Sequence, residues 1–202
     1  MGRELKTTIV ADGVRGMALV LLESEEIIVR GDLRQRIPFS SISAARVAGT
    51  TLDITHALGH LSIDLGDSAE AWLARIRSPK SLIDKLGVAA THRVVVLSLD
   101  DLTFLADLRA RCPHVTTRLT TTRPDVIVVG CRALSDLDKL AEFEGRITRD
   151  GAIWTVWAKG RRELREDDIR RAAGAAGLVD VKVVKFSETH SALKLVIPKD
   201  RR

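Results

Sequence analysis

Apolar residues in the first third of the chain fall in short runs, several of them alternating with polar ones. Lys6 to Val10, Gly16 to Leu22, Glu26 to Arg30, Arg36 to Phe39 and Ile42 to Val47 are such runs. Thr51-Leu52-Asp53-Ile54-Thr55 and Leu61-Ser62-Ile63-Asp64-Leu65 alternate strictly. A side-chain period of two is that of a half-buried strand, so the stretch predicts antiparallel strands. Asp12-Gly13, Glu23-Ser24-Glu25 and Ala57-Leu58-Gly59 supply turns between them. Pro38 has no N–H to give a ladder, which marks its run as an edge strand or a strand entrance. The period then changes. Asp67-Ser68-Ala69-Glu70 has capping-box spacing, Trp72, Leu73 and Ile76 form one helix face, and Pro79 limits the helix.

Beyond Ser78-Pro79-Lys80-Ser81, helical and extended patterns alternate. A short helix is expected over 82–86 and a strand over 93–99. A helix over 101–111 carries Leu102, Leu105 and Leu108 on one face and stops before Pro113. Strands follow at 114–119 and 125–130, then a helix opening at Ser135 and a strand over 152–158. A helix over 165–176, with Glu166, Asp167 and Asp168 in its first turn, leads to a closing hairpin of 179–186 and 192–197. Continuous Val-rich runs separated by helices indicate parallel strands buried on both faces. The expected architecture is a mainly β N-terminal domain with one closing helix (1–78) and an α/β, Rossmann-like C-terminal domain (79–202).

Composition narrows the function classes. The 202 residues are 45% hydrophobic and 29% charged, enough apolar material for a core and too much for disorder. The longest apolar run, Met17 to Leu22, is far shorter than the ~20 residues of a membrane span, and Met1 to Lys6 lacks a signal-peptide core. A cytoplasmic protein is expected. Cys112 and Cys131 are too few for a disulfide framework. The net charge of +5 is uneven: residues 1–78 hold nine basic and ten acidic side chains, and 79–202 hold 23 and 17. Basic residues interrupted by acids, with 3% aromatics and no Tyr, argue against nucleic acid. The near-neutral first half, with only Arg30, Arg34 and Arg36 as a local cluster, favours a protein partner over a membrane.

The N-terminal order, with Ile37-Pro38-Phe39-Ser40-Ser41-Ile42 before a hairpin and a Trp-bearing final helix, resembles bacterial pleckstrin-homology-like (PH/GRAM-like) domains over 4–78. That resemblance implies a curved sheet or half-barrel capped by the helix, binding lipid headgroups, peptides or proteins. The ending of the chain, a hairpin after the last helix, is similar to class I methyltransferases. Asp125-Val126-Ile127-Val128-Val129 looks like their fourth strand and Asp150-Gly151-Ala152-Ile153-Trp154 like the turn into their fifth. Their cofactor, S-adenosylmethionine, needs a glycine-rich turn after the first strand. Here that place holds Leu99-Asp100-Asp101-Leu102-Thr103-Phe104, and the second strand runs into Thr120-Thr121-Thr122-Arg123 without a ribose-binding acid. Ser81 to Val88, Trp157-Ala158-Lys159, Gly177 to Val183 and Glu188 to Lys194 resemble a bacterial family of unknown function with a degenerate methyltransferase-like fold, over 79–198. That resemblance implies no catalytic residues and no cofactor. Ala158 and His190 stand where the family more often has Pro and Trp.

The candidate ligand- or partner-binding residues are Asp100, Asp101, Trp157, Lys159, Arg161 and Arg162. Lys159, Arg161 and Arg162 follow a strand at the carboxyl edge, where open α/β sheets place ligands, and lead to a helix N-terminus, which favours anions. A phosphate, a carboxylate or an acidic partner would suit them. A solvated loop neutralised by Glu163 and by Glu166 to Asp168 is the plainer alternative. Asp100 and Asp101 could serve a ligand, although capping the next helix needs less supposition. Trp154 and Trp157, an odd number of positions apart in one strand, should face opposite helix layers. His56 and His60 flank a turn without a third ligand and read as solvated turn residues, with no metal site. The two cysteines lack a paired base and read as inert thiols. No nucleophile elbow or P-loop occurs. These features together favour a non-enzymatic binding or regulatory protein of two domains, with a protein partner and room for a small anion. The alternative is a divergent transferase or small-anion-binding enzyme using the carboxyl edge of the C-terminal sheet.

Overall fold

Alternation in the first third of the chain becomes the two faces of a sheet. The structure, a computed structural model, describes residues 3–31 and 33–202. The chain divides into two units, meeting at Lys80/Ser81, each with its own sheet. The first unit contains β1 (Arg3–Ala11), β2 (Val14–Leu22), β3 (Glu26–Gly31), β4 (Gln35–Pro38), β5 (Ile42–Ala48), β6 (Thr51–His56) and β7 (Gly59–Asp64). They form one antiparallel sheet in the order β4-β3-β2-β1-β7-β6-β5, two meanders joined where β1 pairs with β7. Ile9, Val20, Leu22, Ile27, Leu52, Ile54, Leu61 and Ile63 turn one face inward and are almost wholly buried. Trp72, Leu73 and Ile76 of α1 (Ala69–Arg77) complete that core. Each such side chain removed from water contributes about 1.5–3 kcal/mol.

Two expectations for this unit are corrected. The capping box at Asp67 and Glu70 does not form: a 3-10 turn, Gly66–Ser68, precedes α1, and Ser68 at the cap makes no side-chain hydrogen bond. Buried Leu65 anchors the chain there, and its carbonyl accepts the Ser68 N–H at 3.1 Å, tightening the entry before the α-turn begins. His56 is not a solvated turn residue. It shares the parity of Leu52 and Ile54, so it faces inward and is 7% exposed, while His60 lies on the neighbouring strand opposite Thr55.

The second unit contains α2 (Leu82–Leu86), β8 (Val94–Leu97), α3 (Leu102–Arg111), β9 (Val115–Thr116), β10 (Val126–Gly130), α4 (Leu140–Arg146), β11 (Ala152–Ala158), α5 (Glu166–Ala175), β12 (Val179–Lys185) and β13 (His190–Val196). Its sheet has the order β12-β13-β11-β10-β8-β9. Strands β11, β10, β8 and β9 run parallel, and β13 is antiparallel to both its neighbours. Helices cover both faces. Leu86 of α2 and Phe104, Leu105 and Leu108 of α3 pack with Val94, Val96, Val128 and Trp154. Leu140 and Phe143 of α4 and Ile169 and Ala173 of α5 pack with Val95, Ile127, Val129, Ile153 and Trp157. The two tryptophans of β11 therefore serve opposite layers, and Trp154 satisfies its indole N–H on the Leu86 carbonyl at 3.1 Å. This is a Rossmann-like α/β layout ending in an antiparallel hairpin.

The strand expected over 114–119 shrinks to Val115–Thr116. It is the sheet's edge strand, paired with β8 only at Val94–Val115 and Val95–Thr116, and the chain leaves the ladder at Thr117. The helix expected from Ser135 opens as a 3-10 turn, Leu134–Lys139, and becomes α-helical only at Leu140. Among the described residues no helix is long and apolar enough to cross a membrane.

Candidate functional site

The order of the second sheet fixes where its crevice lies. From β8 the chain passes through α3 to β9 on one side, and β10 then returns to the other side of β8. The reversal falls between β8 and β10, and ligands of open α/β sheets bind outside the carboxyl ends of strands at such a point. A cavity of about 430 Å³ opens there. Leu97 and Ser98 line it from the end of β8, Val129 and Gly130 from the end of β10, and Thr117, Arg118 and Leu119 from the segment after β9. Asp136, Lys139, Glu142 and Phe143 close the remaining side. Its size suits a small organic molecule, for which ~300–1,000 Å³ is usual.

The backbone at the cavity wall is unusual. Ser98 has φ +53°, the left-handed region that costs a non-glycine residue about 1–2 kcal/mol. Gly130 lies so close that a Cβ there would sit 2.2 Å from the Ser98 carbonyl oxygen. Strained backbone of this kind concentrates at ligand sites. Three residues on, the N-terminus of α3 is already occupied: the Asp101 carboxylate accepts the Phe104 N–H at 2.9 Å. Asp136 is likewise engaged. It accepts the N–H groups of Arg132 at 2.7 Å and Ala133 at 3.0 Å, and those bonds hold its carboxyl below the usual range.

The sequence candidates occupy several different environments. Asp101 caps α3, and Asp100 forms an exposed ion pair with Arg132 at 3.0 Å. Trp157 is 6% exposed and belongs to the core beneath α5, so it has no face to offer a ligand. Lys159 donates to the carbonyls of Ser187 at 2.7 Å and Glu188 at 3.2 Å, fastening the turn between β12 and β13. Arg161 lines a second, smaller recess of about 160 Å³. Arg162 is exposed and lines neither cavity. The Asp168 carboxylate accepts the Arg165 N–H at 3.0 Å, so the start of α5 is capped as well.

Ser98, Gly130, Asp136, Lys139 and Glu142 were not among the sequence candidates. One signal was available, the glycine ending the apolar run Val126–Gly130, since a glycine in a strand marks close backbone approach. The others come from the turn after β8, the 3-10 turn Leu134–Lys139 and α4, whose meeting depends on sheet order. Both cysteines are buried and free. Burial, with a smaller contribution from Asp136, pushes the Cys131 thiol up to about 12, so it stays protonated and unreactive. Among the described residues no group of three or more His, Cys, Asp and Glu side chains is placed to hold a metal ion.

No protein-family model and no curated protein matches the sequence. Among solved structures the chain is similar to methyltransferases. One is a TehB-like SAM-dependent methyltransferase from Corynebacterium glutamicum, 12% identical over 65% of this chain and 97% of that one, with a TM-score of 0.39. A methyltransferase of calicheamicin biosynthesis is 15% identical over 65% of this chain and 58% of its own, with a TM-score of 0.44. The magnesium protoporphyrin IX methyltransferase of Synechocystis is 13% identical over 65% and 77%, with a TM-score of 0.39.

Proposed function

We propose that the second unit is a divergent transferase-type domain that binds a small organic ligand between the carboxyl ends of β8 and β10. The observation that carries this reading is the 430 Å³ cavity at the sheet's reversal point, walled by the strained Ser98 and the close-packed Gly130. Leu97, Leu119, Val129 and Phe143 give the ligand an apolar bed, with Lys139 and Glu142 as polar contacts at its rim.

S-adenosylmethionine does not fit these residues. Leu99 to Phe104, without a glycine, stand where its glycine-rich turn would be, Asp101 fills the donor position of α3, and Thr117 to Arg123 offer no carboxylate for a ribose. A bacterial family with a degenerate methyltransferase-like fold, on the resemblance of residues 79–198, is consistent with that loss. A non-enzymatic binding role is the second reading. It is favoured by Asp136, one of the two acids in the cavity wall, being held ionised by backbone N–H groups rather than poised for proton transfer. The two meanders and closing helix of the first unit support a pleckstrin-homology-like, protein-contacting role for it.

Ligand-observed NMR on the full chain, with a panel of nucleosides and aromatic metabolites, tests the ligand site. Thr117→Trp, at an exposed lining position, fills the cavity mouth. Compounds bound by the natural chain and released by Thr117→Trp support the reading. Micromolar binding of S-adenosylmethionine, or no compound sensitive to the substitution, overturns it.

A further inference from the structure

The strand directions of the second sheet bring a second group of side chains together. Because β13 runs antiparallel to β11, its first residue, His190, pairs with Ala158, the last of β11, at the carboxyl edge. Cys131 extends β10 by one residue toward the same edge, its N–H donating to the Val156 carbonyl at 2.8 Å. Lys159 is tied to the Thr189 carbonyl through its backbone N–H at 2.8 Å, and Gly160, at φ +72°, turns the chain to deliver Arg161. Arg132, Arg161 and His190 thus surround a recess of about 160 Å³ floored by Cys131 and flanked by Ala158 and Leu164.

We infer that this recess is an oxyanion site, taking a phosphate or carboxylate group between Arg132, Arg161 and His190. Among the described residues no acidic side chain lines it. Among the described residues Arg161 makes no side-chain hydrogen bond or ion pair, so its whole guanidinium is available. Arg132 uses only one terminal nitrogen on Asp100, and His190 uses only Nδ1, on the Thr189 hydroxyl at 2.9 Å. Planar guanidinium groups match the oxygen spacing of phosphate and carboxylate. The floor is electrically neutral because burial keeps the Cys131 thiol protonated, and the apolar flanks reduce screening by water. The recess shares no lining residue with the cavity between β8 and β10, so it stands or falls independently of that site.

Isothermal titration of the full chain with inorganic phosphate at low ionic strength tests the site. Saturable binding is expected, weakened about tenfold or more by Arg161→Ala. Arg162→Ala removes the same charge from the same exposed loop but lines no cavity, and should bind as the natural chain does. Circular dichroism checks that both variants keep their fold. Adenosine monophosphate titrated alongside separates the sources of the anion. Tighter binding than phosphate, still lost in Arg161→Ala, makes it the end of a larger ligand, and equal binding makes it a free ion. Absence of saturation at millimolar phosphate, or equal losses in the two variants, would sink the assignment.

Discussion

Gly130 and Ser98 meet backbone to backbone at the carboxyl edge of the second sheet, with room for no side chain on the glycine. The clash that a methyl group would make is with a carbonyl oxygen at 2.2 Å, which cannot rotate away as a side chain could. Gly130→Ala should therefore prise β8 from β10 and lower stability by about 2 kcal/mol or more, as overpacking does. The reverse relief is available at Ser98, whose φ of +53° suits glycine. Ser98→Gly should raise stability by up to about 1 kcal/mol. Urea unfolding midpoints of the two variants, moving in opposite directions, check both.

That contact also shows where the sequence was informative and where it was not. The alternation of Leu52, Ile54, Leu61 and Ile63 specified strands and their buried face, because a two-residue period is a local property. The same parity puts His56 on the inward face, although the adjoining turn Ala57-Leu58-Gly59 masks it in the sequence. Trp154 and Trp157 could be assigned to opposite faces from their spacing alone. The cavity could not be found this way. Thr117, Gly130 and Lys139 meet only because β10 lies on the far side of β8 from β9, and strand order is not written in any local pattern. The basic stretch after β11 was visible as charge, but only the antiparallel direction of β13 reveals that Arg161, and not Arg162, faces a recess with His190.

Asp136 joins the cavity wall to the start of the helical segment after β10. Its carboxylate serves the N–H groups of Arg132 and Ala133, two donors that would otherwise lack helical partners. Asp136→Ala should cost about 1 kcal/mol at neutral pH, the usual value of such a cap. The hydrogen bonds lower its pKa in the folded protein relative to 3.8. Its contribution is therefore present above that value and is lost as pH falls through the folded pKa. The gap between natural chain and variant in urea unfolding should narrow from pH 7 toward pH 3. A gap unchanged over that range would show that the charge on Asp136 does not carry the effect.

Trp154 couples β11 to α2 by a hydrogen bond as well as by packing. Its ring is fully buried, its indole N–H reaches the Leu86 carbonyl, and the Lys182 ammonium lies 5.6 Å from the ring centroid. Trp154→Phe leaves that carbonyl without its donor and a void beside α2. Stability should fall by about 2–3 kcal/mol, combining the lost bond with the lost volume. Thermal unfolding followed by circular dichroism measures the change. A loss below about 0.5 kcal/mol would mean that α2 contributes little to holding this layer.

Cys131 supplies a prediction at the opposite end of the pH scale. Burial dominates the rise of its thiol pKa from 9.0 to about 12. The native protein should thus resist a thiol-specific aromatic disulfide at pH 8 and react only as it unfolds. The same shift has a stability consequence. Below pH 9 the thiol is protonated in both folded and unfolded chains, so its stabilising contribution is complete. Between pH 9 and 12 the unfolded chain loses its proton first, and that contribution falls by up to about 1.4 kcal/mol per pH unit. Cys131→Ala removes this component, although the cavity it leaves lowers stability at every pH. Above pH 9 the difference in unfolding free energy between natural chain and variant should therefore shrink. A constant difference from pH 8 to pH 10.5, or fast labelling of the folded protein, would place the Cys131 thiol in contact with water and remove the neutral floor from the recess beneath Arg161.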